Sequence, residues 1–159
     1  AQSLINAGAD VLMQNTDSSA VLQTAEKAGK YAFGWDSDMQ SYAPNAHLAS
    51  AIINWGPYYI QEVQKMLDGK WETGESWWGV KEGAIDLVSI SDKVPADLKA
   101  KAEAAKAGLK DGSFVIWKGP ILDQTGKEVL KKDEVADDTF LRGIKFFVKG
   151  VDAKMPGEK

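Results

Sequence analysis

The strongest constraint on the fold is a repeated unit in the first forty residues. An apolar run, Asp10-Val-Leu-Met-Gln14, leads into a polar turn, Asn15-Thr-Asp-Ser-Ser19. A helical stretch follows, then a second run, Tyr31-Ala-Phe-Gly-Trp35, which stops at Asp36-Ser-Asp38. Strand, helix and strand with a short helix between them read as a right-handed βαβ crossover, which commits the chain to a parallel sheet. Open parallel sheets bind ligands outside the carboxyl ends of their strands. Both strands here end in hydrogen-bonding residues, the second beside a tryptophan, so the same unit also marks a candidate site.

The rest of the chain is consistent with one α/β unit of ordinary size. It has 159 residues, 44% hydrophobic and 26% charged, with a net charge of -4. Basic residues are scattered among acids, without the patch or stripe expected of a nucleic-acid binder. No apolar run approaches the roughly 18 residues of a membrane span. There are no cysteines, which excludes disulfides and thiolate metal sites and leaves the compartment open. No signal peptide is visible. The chain lacks an initiator Met and opens on Ala1-Gln-Ser-Leu-Ile-Asn-Ala-Gly8, which reads as the end of a helix with Gly8 as its stop. The sequence is therefore expected to begin within a fold.

Downstream, Ser18 or Ser19 is expected to cap a helix carrying Val21, Leu22, Ala25 and Ala28, closed by Gly29. His47 to Ile53 reads as a strand. Asn54 precedes a helix with Pro57 in its first turn and Tyr58, Tyr59, Val63, Met66 and Leu67 along it, ending at Gly69. Trp71 to Trp78 is a loop, and Ala84 to Ile90 a half-buried strand. Pro95 to Ala107 predicts a surface helix closed by Gly108, and Phe114-Val-Ile-Trp117 a further strand. Ile121 to Val129 reads as a hairpin turning at Gln124 to Gly126. A last helix, capped by Asp137 or Asp138, is expected to carry Phe140, Leu141, Ile144, Phe147, Val148 and Val151 in a wide apolar stripe. Residues 154–159 read as a frayed tail.

No catalytic signature emerges. The single histidine, His47, has no Ser or Cys arranged for nucleophilic attack and reads as structural. One His and no Cys argue against zinc. Asp36 and Asp38 lack the Gly and closing Glu of a calcium loop. No glycine-rich phosphate cradle occurs, and no cofactor is expected. What remains is binding chemistry. Asn15, Thr16, Asp17 and Ser18 can donate or accept hydrogen bonds, and ionised Asp36 accepts from a sugar diol or the N–H of a base. Trp35 and Trp55 offer flat faces for an aromatic ring. Each has a structural alternative: Asn15 and Asp17 as helix caps, Asp36 as a turn residue, Trp55 as core packing. Adjacent Trp77 and Trp78 face opposite ways if extended, so one is expected to be buried and the other to line a cleft.

The ordered stretches LINAGADVLMQNTDSSAVLQTAEKAGKYAFGWDSD, HLASAIINWGPYYIQEVQKMLDGKW, WWGVKEGAIDLVSISDKVP, GPILDQTGKEV and LRGIKFFVKGV resemble the second lobe of the basic membrane protein (PnrA-like, Med-like) family. These are substrate-binding proteins of ABC importers. The resemblance implies an α/β fold of the periplasmic-binding-protein type I class, with two lobes closing around a small ligand by a hinge movement. It implies a purine nucleobase or nucleoside-like ligand, a permease partner, no enzymatic activity, and a periplasmic or membrane-anchored extracytoplasmic location. The family's ribose-binding aspartate carries over to Asp36, and its preceding polar loop to Asn15 to Ser18. Some members have a lysine near the start of the helix that here follows Ile52-Ile-Asn-Trp55. That departure points away from nucleoside-type recognition and toward Trp55 shaping a pocket for a base or other flat heterocycle. Trp78 completes the expected ligand set with Asn15, Thr16, Asp17, Trp35, Asp36 and Trp55.

By the same resemblance, residues 1–85 are expected to form most of a ligand-binding lobe. Residues 86–159 are expected to cross back and pack on a first lobe preceding this segment. The stripe of the terminal helix would then lack its cover, which predicts a homodimer through that helix. Two other functions share this fold or these residues: a ligand-sensing domain of a transcriptional regulator, and a nucleoside hydrolase using Asp36 and Asp38.

Overall fold

A computed structural model describes residues 1–153, 155 and 157; the other positions of the expected tail lie outside the described residues. The chain divides into two compact units, Ala1–Ser113 and Phe114–Lys159.

The first unit opens with α1 (Gln2–Asn6), β1 (Val11–Leu12), α2 (Ala20–Lys27) and β2 (Tyr31–Asp36). It continues through β3 (His47–Ile53), α3 (Gly56–Leu67), β4 (Ile85–Val88) and α4 (Ala96–Asp111). The four strands lie in the order β1-β2-β3-β4. β1, β2 and β3 run parallel, with Val11 opposite Tyr31 and Trp35 opposite Ala51. β4 closes the edge antiparallel, pairing Ile85 with Ile53 and Val88 with Ser50. The expected βαβ unit is thus present. β4 and α4 group with it, so the compact unit runs on past residue 85 to Ser113.

The core forms where α2 lies on the sheet. Leu22 and Ala25 of α2 pack with Leu12, Ala32, Met39, Ala43 and Ala46, all almost fully buried, with Ile5, Ala9 and Val21 at its margin. The short side chains of Ala32, Ala43 and Ala46 let helix and sheet approach closely. Gly34 permits a second close approach. A Cβ there would lie 2.2 Å from the Ser50 Oγ and 3.0 Å from Met39 Cβ. Glu26 fixes the other end of the helix by accepting backbone N–H bonds from Asn45 (2.7 Å) and Ala46 (3.1 Å).

Two expectations fail at α4 and after it. Gly108 does not stop the helix. It is buried within it, and the stop is Gly112, whose left-handed φ of 81° suits a residue without Cβ. Phe114 to Trp117 is not a strand. Phe114, Val115 and Ile116 are exposed and in no ladder; Trp117 only accepts the Ala136 N–H. Their β-propensity expresses fit to a neighbouring strand, and no described strand adjoins them.

The second unit is built on the expected hairpin, β5 (Ile121–Leu122) and β6 (Glu128–Leu130). Asp123 organises its turn: its carboxylate accepts the N–H groups of Thr125 (2.8 Å) and Lys127 (3.0 Å). Asp137 caps α5 (Asp138–Arg142) by accepting the Phe140 N–H at 2.7 Å. The long terminal helix does not form. α5 closes at Gly143, and the irregular chain beyond it meets the hairpin at one bridge, Asp123 opposite Val148. There Gln124 N–H donates to Phe147 O (2.8 Å) and Lys149 N–H to Leu122 O (2.9 Å). This isolated bridge outweighs the helical spacing of Ile144, Phe147 and Val148. The continuous helical stripe on which the expected dimer rested is therefore absent.

Candidate functional site

Because β1, β2 and β3 are parallel, their carboxyl ends emerge at one edge of the sheet. Asn15, Thr16 and Asp17 follow β1, Trp35 and Asp36 end β2, and Trp55 follows β3. β4 begins at the same edge, opposite Ile53, and the loop carrying Trp78 leads into it. The topology thus gathers all seven expected residues along one edge, the place where α/β sheets take their ligands.

The loop after β1 is held from below. The Gln14 amide donates to Phe33 O (3.3 Å), and the Thr16 hydroxyl donates to Gln14 Oε1 (2.7 Å). Thr16 is therefore committed to the loop. Asn15 and Asp17 are exposed and do not cap α2, whose N-cap residue is Ser19 with no side-chain cap bond; the Ser18 hydroxyl accepts the Ala20 N–H at 3.2 Å in the turn before it. The capping alternative for Asn15 and Asp17 thus fails.

Asp36 is the centre of a three-residue turn in which Ser37 N–H donates to Trp35 O at 2.8 Å. Its φ of 67° is left-handed, a conformation that is strained for a residue with a side chain. Such strain concentrates at functional positions. The next carboxylate plays a different part. Asp38 accepts the Ser89 hydroxyl and the Gln40 N–H (3.1 Å). The Ser89 bond, helped by Gln40 and the field of His47, holds its carboxyl below the ordinary range against slight burial. Asp38 thus ties the loop to the end of β4.

His47 lies beneath this loop, 1% exposed. Its Nε2 is hydrogen-bonded to Ser50 Oγ at 2.8 Å, and the same oxygen accepts the Met39 N–H at 3.0 Å. Among the described residues Nδ1 is buried without a partner. Burial pushes the imidazole down from its usual value; Asp38 works in the opposite sense and Lys93 adds to the depression. The position is that of a structural histidine supporting the 36–40 loop.

At the β3–β4 end of the edge lies a concavity of about 310 Å³. Ile53, Asn54, Trp55, Tyr58, Ser76 and Trp78 line it, with the start of β4 behind. Its volume falls at the lower end of small-molecule sites. Trp55 is 54% exposed, so it is not core packing. Trp78 is half-buried and lines the concavity, whereas Trp77 is exposed. Tyr58 joins the two, edge-on to Trp78 (centroids 5.7 Å apart, planes at 84°) and to Trp55 (6.3 Å, 74°). Sequence reasoning placed Tyr58 only among the residues of a helix. Its position in the first turn after Trp55 was the available signal. The structure brings Trp55 and Trp78 into this concavity; Asn15, Thr16, Asp17, Trp35 and Asp36 lie elsewhere along the edge and do not line it.

The family profile described as ABC transporter substrate-binding protein PnrA-like matches residues 1–132. A purine-binding protein of Brucella abortus is 43% identical over 156 residues, which cover 98% of this chain and 44% of the relative. A putative ABC transporter glucose-binding protein of Haloferax volcanii is 25% identical over 98% of this chain and 37% of its own length. Among solved structures, a transcriptional activator of the comK gene from Bacillus halodurans superposes with a TM-score of 0.64 at 20% identity, covering 71% of this chain and 41% of that one. The chain thus spans less than half the length of these relatives.

Proposed function

The chain belongs to the PnrA-like family of ABC transporter substrate-binding proteins, and we propose that it forms a ligand-facing lobe for a purine nucleobase or nucleoside-like solute. The observation that carries this reading is the shared edge. Three parallel strands deliver the polar turn at Asn15 to Asp17, the Trp35–Asp36 pair and Trp55 to one side of the sheet, next to an aromatic concavity. The identity to a purine-binding protein supports the ligand class. In this reading Asp36 accepts a ribose hydroxyl or a base N–H, and Trp35 and Trp55 offer stacking faces. Nothing in the role requires bond making. Asp38, the second carboxylate of a hydrolase pair, is engaged by Ser89 and Gln40.

A second lobe enclosing the ligand, a permease that receives it and an extracytoplasmic location are the corresponding partners and setting. No helix among the described residues is long and apolar enough to cross a membrane. Self-association, expected of a terminal helix, would run through α3 instead. Its Tyr59, Ile60, Val63, Met66 and Leu67 are exposed, and it buries no residue.

Calorimetric titration of the chain with adenine, adenosine and glucose tests the proposal. One lobe encloses only part of a ligand, so a purine isotherm weaker than micromolar and no glucose heat are expected. Glucose binding without purine binding would overturn the ligand class. Micromolar or tighter purine affinity would overturn the half-site reading.

A further inference from the structure

His47 supports the 36–40 loop by way of one hydroxyl, and that support depends on the charge of the ring. Ser50 Oγ accepts the Met39 N–H at 3.0 Å and meets His47 Nε2 at 2.8 Å. It fills the space that a Cβ on Gly34 would take, so β2 gives it no room to retreat. A serine hydroxyl has one proton to donate and two lone pairs to accept with. While the imidazole is neutral, Nε2 takes the Ser50 proton and a lone pair stays for Met39. One buried group, Nδ1, is then left without a partner among the described residues. A protonated ring reverses the first bond. Nε2–H donates to Oγ, the Ser50 proton loses its acceptor, and Nδ1–H is stranded beside a buried charge.

Little around the ring offsets that charge. Asp38, on the loop after β2, favours it, but Asp38 is already engaged by Ser89 and Gln40. Lys93, after β4, opposes it. Relief comes when Ser50 or the ring moves, which frees the Met39 N–H three residues past Asp36. The backbone there is ready to give. Asp36, and the Ser89 that ties Asp38, hold left-handed φ values of 67° and 53°. We propose that Ser50 is the positioning residue for Asp36 and His47 its proton switch: the loop presents Asp36 at the ligand edge while the ring is neutral and withdraws it when the ring is protonated. The effect on purine affinity rests on the reading of Asp36 above; the movement of the loop does not.

NMR of nitrogen-labelled chain without ligand, from pH 7 to about pH 4.5, follows the His47 ring and the amides of Asp36, Ser37 and Met39 in the same samples. The ring is expected to titrate below its ordinary 6.5. The three amides are expected to shift and lose protection from exchange along the same curve, while circular dichroism keeps its pH 7 form. His47→Gln, whose amide oxygen accepts the Ser50 proton at every pH, is expected to hold these amides still. Ser50→Ala is expected to leave the ring titrating and the amides deaf to it. A ring that stays neutral to pH 4.5, loop amides that do not follow it, or loss of the whole fold along the same curve would overturn the proposal. Adenosine affinity is then compared at pH 7 and at the acid end of the ring's titration. It is expected to fall about tenfold, the scale of one hydrogen bond to a charged group, in the parent and to stay level in Asp36→Asn. An equal fall in Asp36→Asn would overturn the positioning of Asp36. No adenosine binding at either pH, with the loop still following His47, would overturn the purine reading and leave the switch standing.

Discussion

Gly34→Ala is the most direct probe of how the sheet holds the loop that carries Asp36. The added methyl would sit 2.2 Å from Ser50 Oγ and 3.0 Å from both Ser50 Cβ and Met39 Cβ. Ser50 is fully buried, and its hydroxyl serves His47 Nε2 and the Met39 N–H at once. If Ser50 turns away, a buried donor is stranded, at about 1–3 kcal/mol. If the backbone moves instead, overpacking costs a similar about 1–3 kcal/mol. Some of each gives an expected loss of about 2–4 kcal/mol. Gly29→Ala is the control. Its φ of 64° disfavours a side chain, yet no atom lies within 4 Å of the new carbon. It should cost only about 1 kcal/mol of backbone strain. Urea unfolding followed by far-ultraviolet circular dichroism separates the two, since a slope of about 1–3 kcal/mol per molar turns the larger loss into a midpoint shift of about 0.7 M or more. Gly34→Ala combined with Ser50→Ala should cost less than the sum of the single changes, because removing the hydroxyl removes the 2.2 Å clash. A Gly34→Ala cost no greater than that of Gly29→Ala, or strict additivity of the pair, would refute the reasoning.

Further tests follow from the same residues. Burial depresses the His47 pKa below its ordinary 6.5, so the unfolded chain binds more protons between the folded value and 6.5; stability should be full above that window and fall as pH drops through it, with His47→Gln flattening the slope in urea midpoints measured from pH 7 to pH 5. Asp38, also depressed, should contribute a separate loss below about 3.8, reduced in Ser89→Ala, which leaves only the Gln40 bond and the field of His47. Asp36→Gly relieves the left-handed strain and should raise stability by about 0.5–1 kcal/mol while weakening purine binding; a loss of stability would contradict the strained turn. Val63→Glu, in the middle of the exposed face of α3, should shift light scattering toward monomer, and unchanged association would remove α3 from the contact.

What the sequence showed and hid follows from how local each signal is. Val11 to Asp36 could be read because every cue agreed: apolar runs at strand length, Leu22 and Ala25 at helical spacing, and Gly29 at the stop. His47 to Ile53 was read to its ends for the same reason. The C-terminal third misled because spacing and partner disagreed. Ile144, Phe147 and Val148 repeat like a helix, yet Gln124 and Leu122 bond the backbone of Phe147 and Lys149, a pairing that no local pattern reveals. Phe114 to Trp117 has strand composition, but no described strand adjoins it. The edge as a whole was legible, because strand ends are where ligands bind in this architecture. The concavity was legible only in part. Trp55 and Trp78 were expected at the site, whereas the place of Tyr58 between them depends on how the 71–78 loop meets α3, a contact remote in sequence.

The central claim is that ligand binds at the carboxyl edge of the parallel strands, and intermolecular NOEs between labelled chain and unlabelled adenine test it most directly. The account predicts contacts from the purine protons to the rings of Trp55, Tyr58 and Trp78. At the opposite edge Glu26, Gly29, Lys30, Tyr31 and Asn45 line a concavity of about 230 Å³. Contacts confined to those residues would contradict the account.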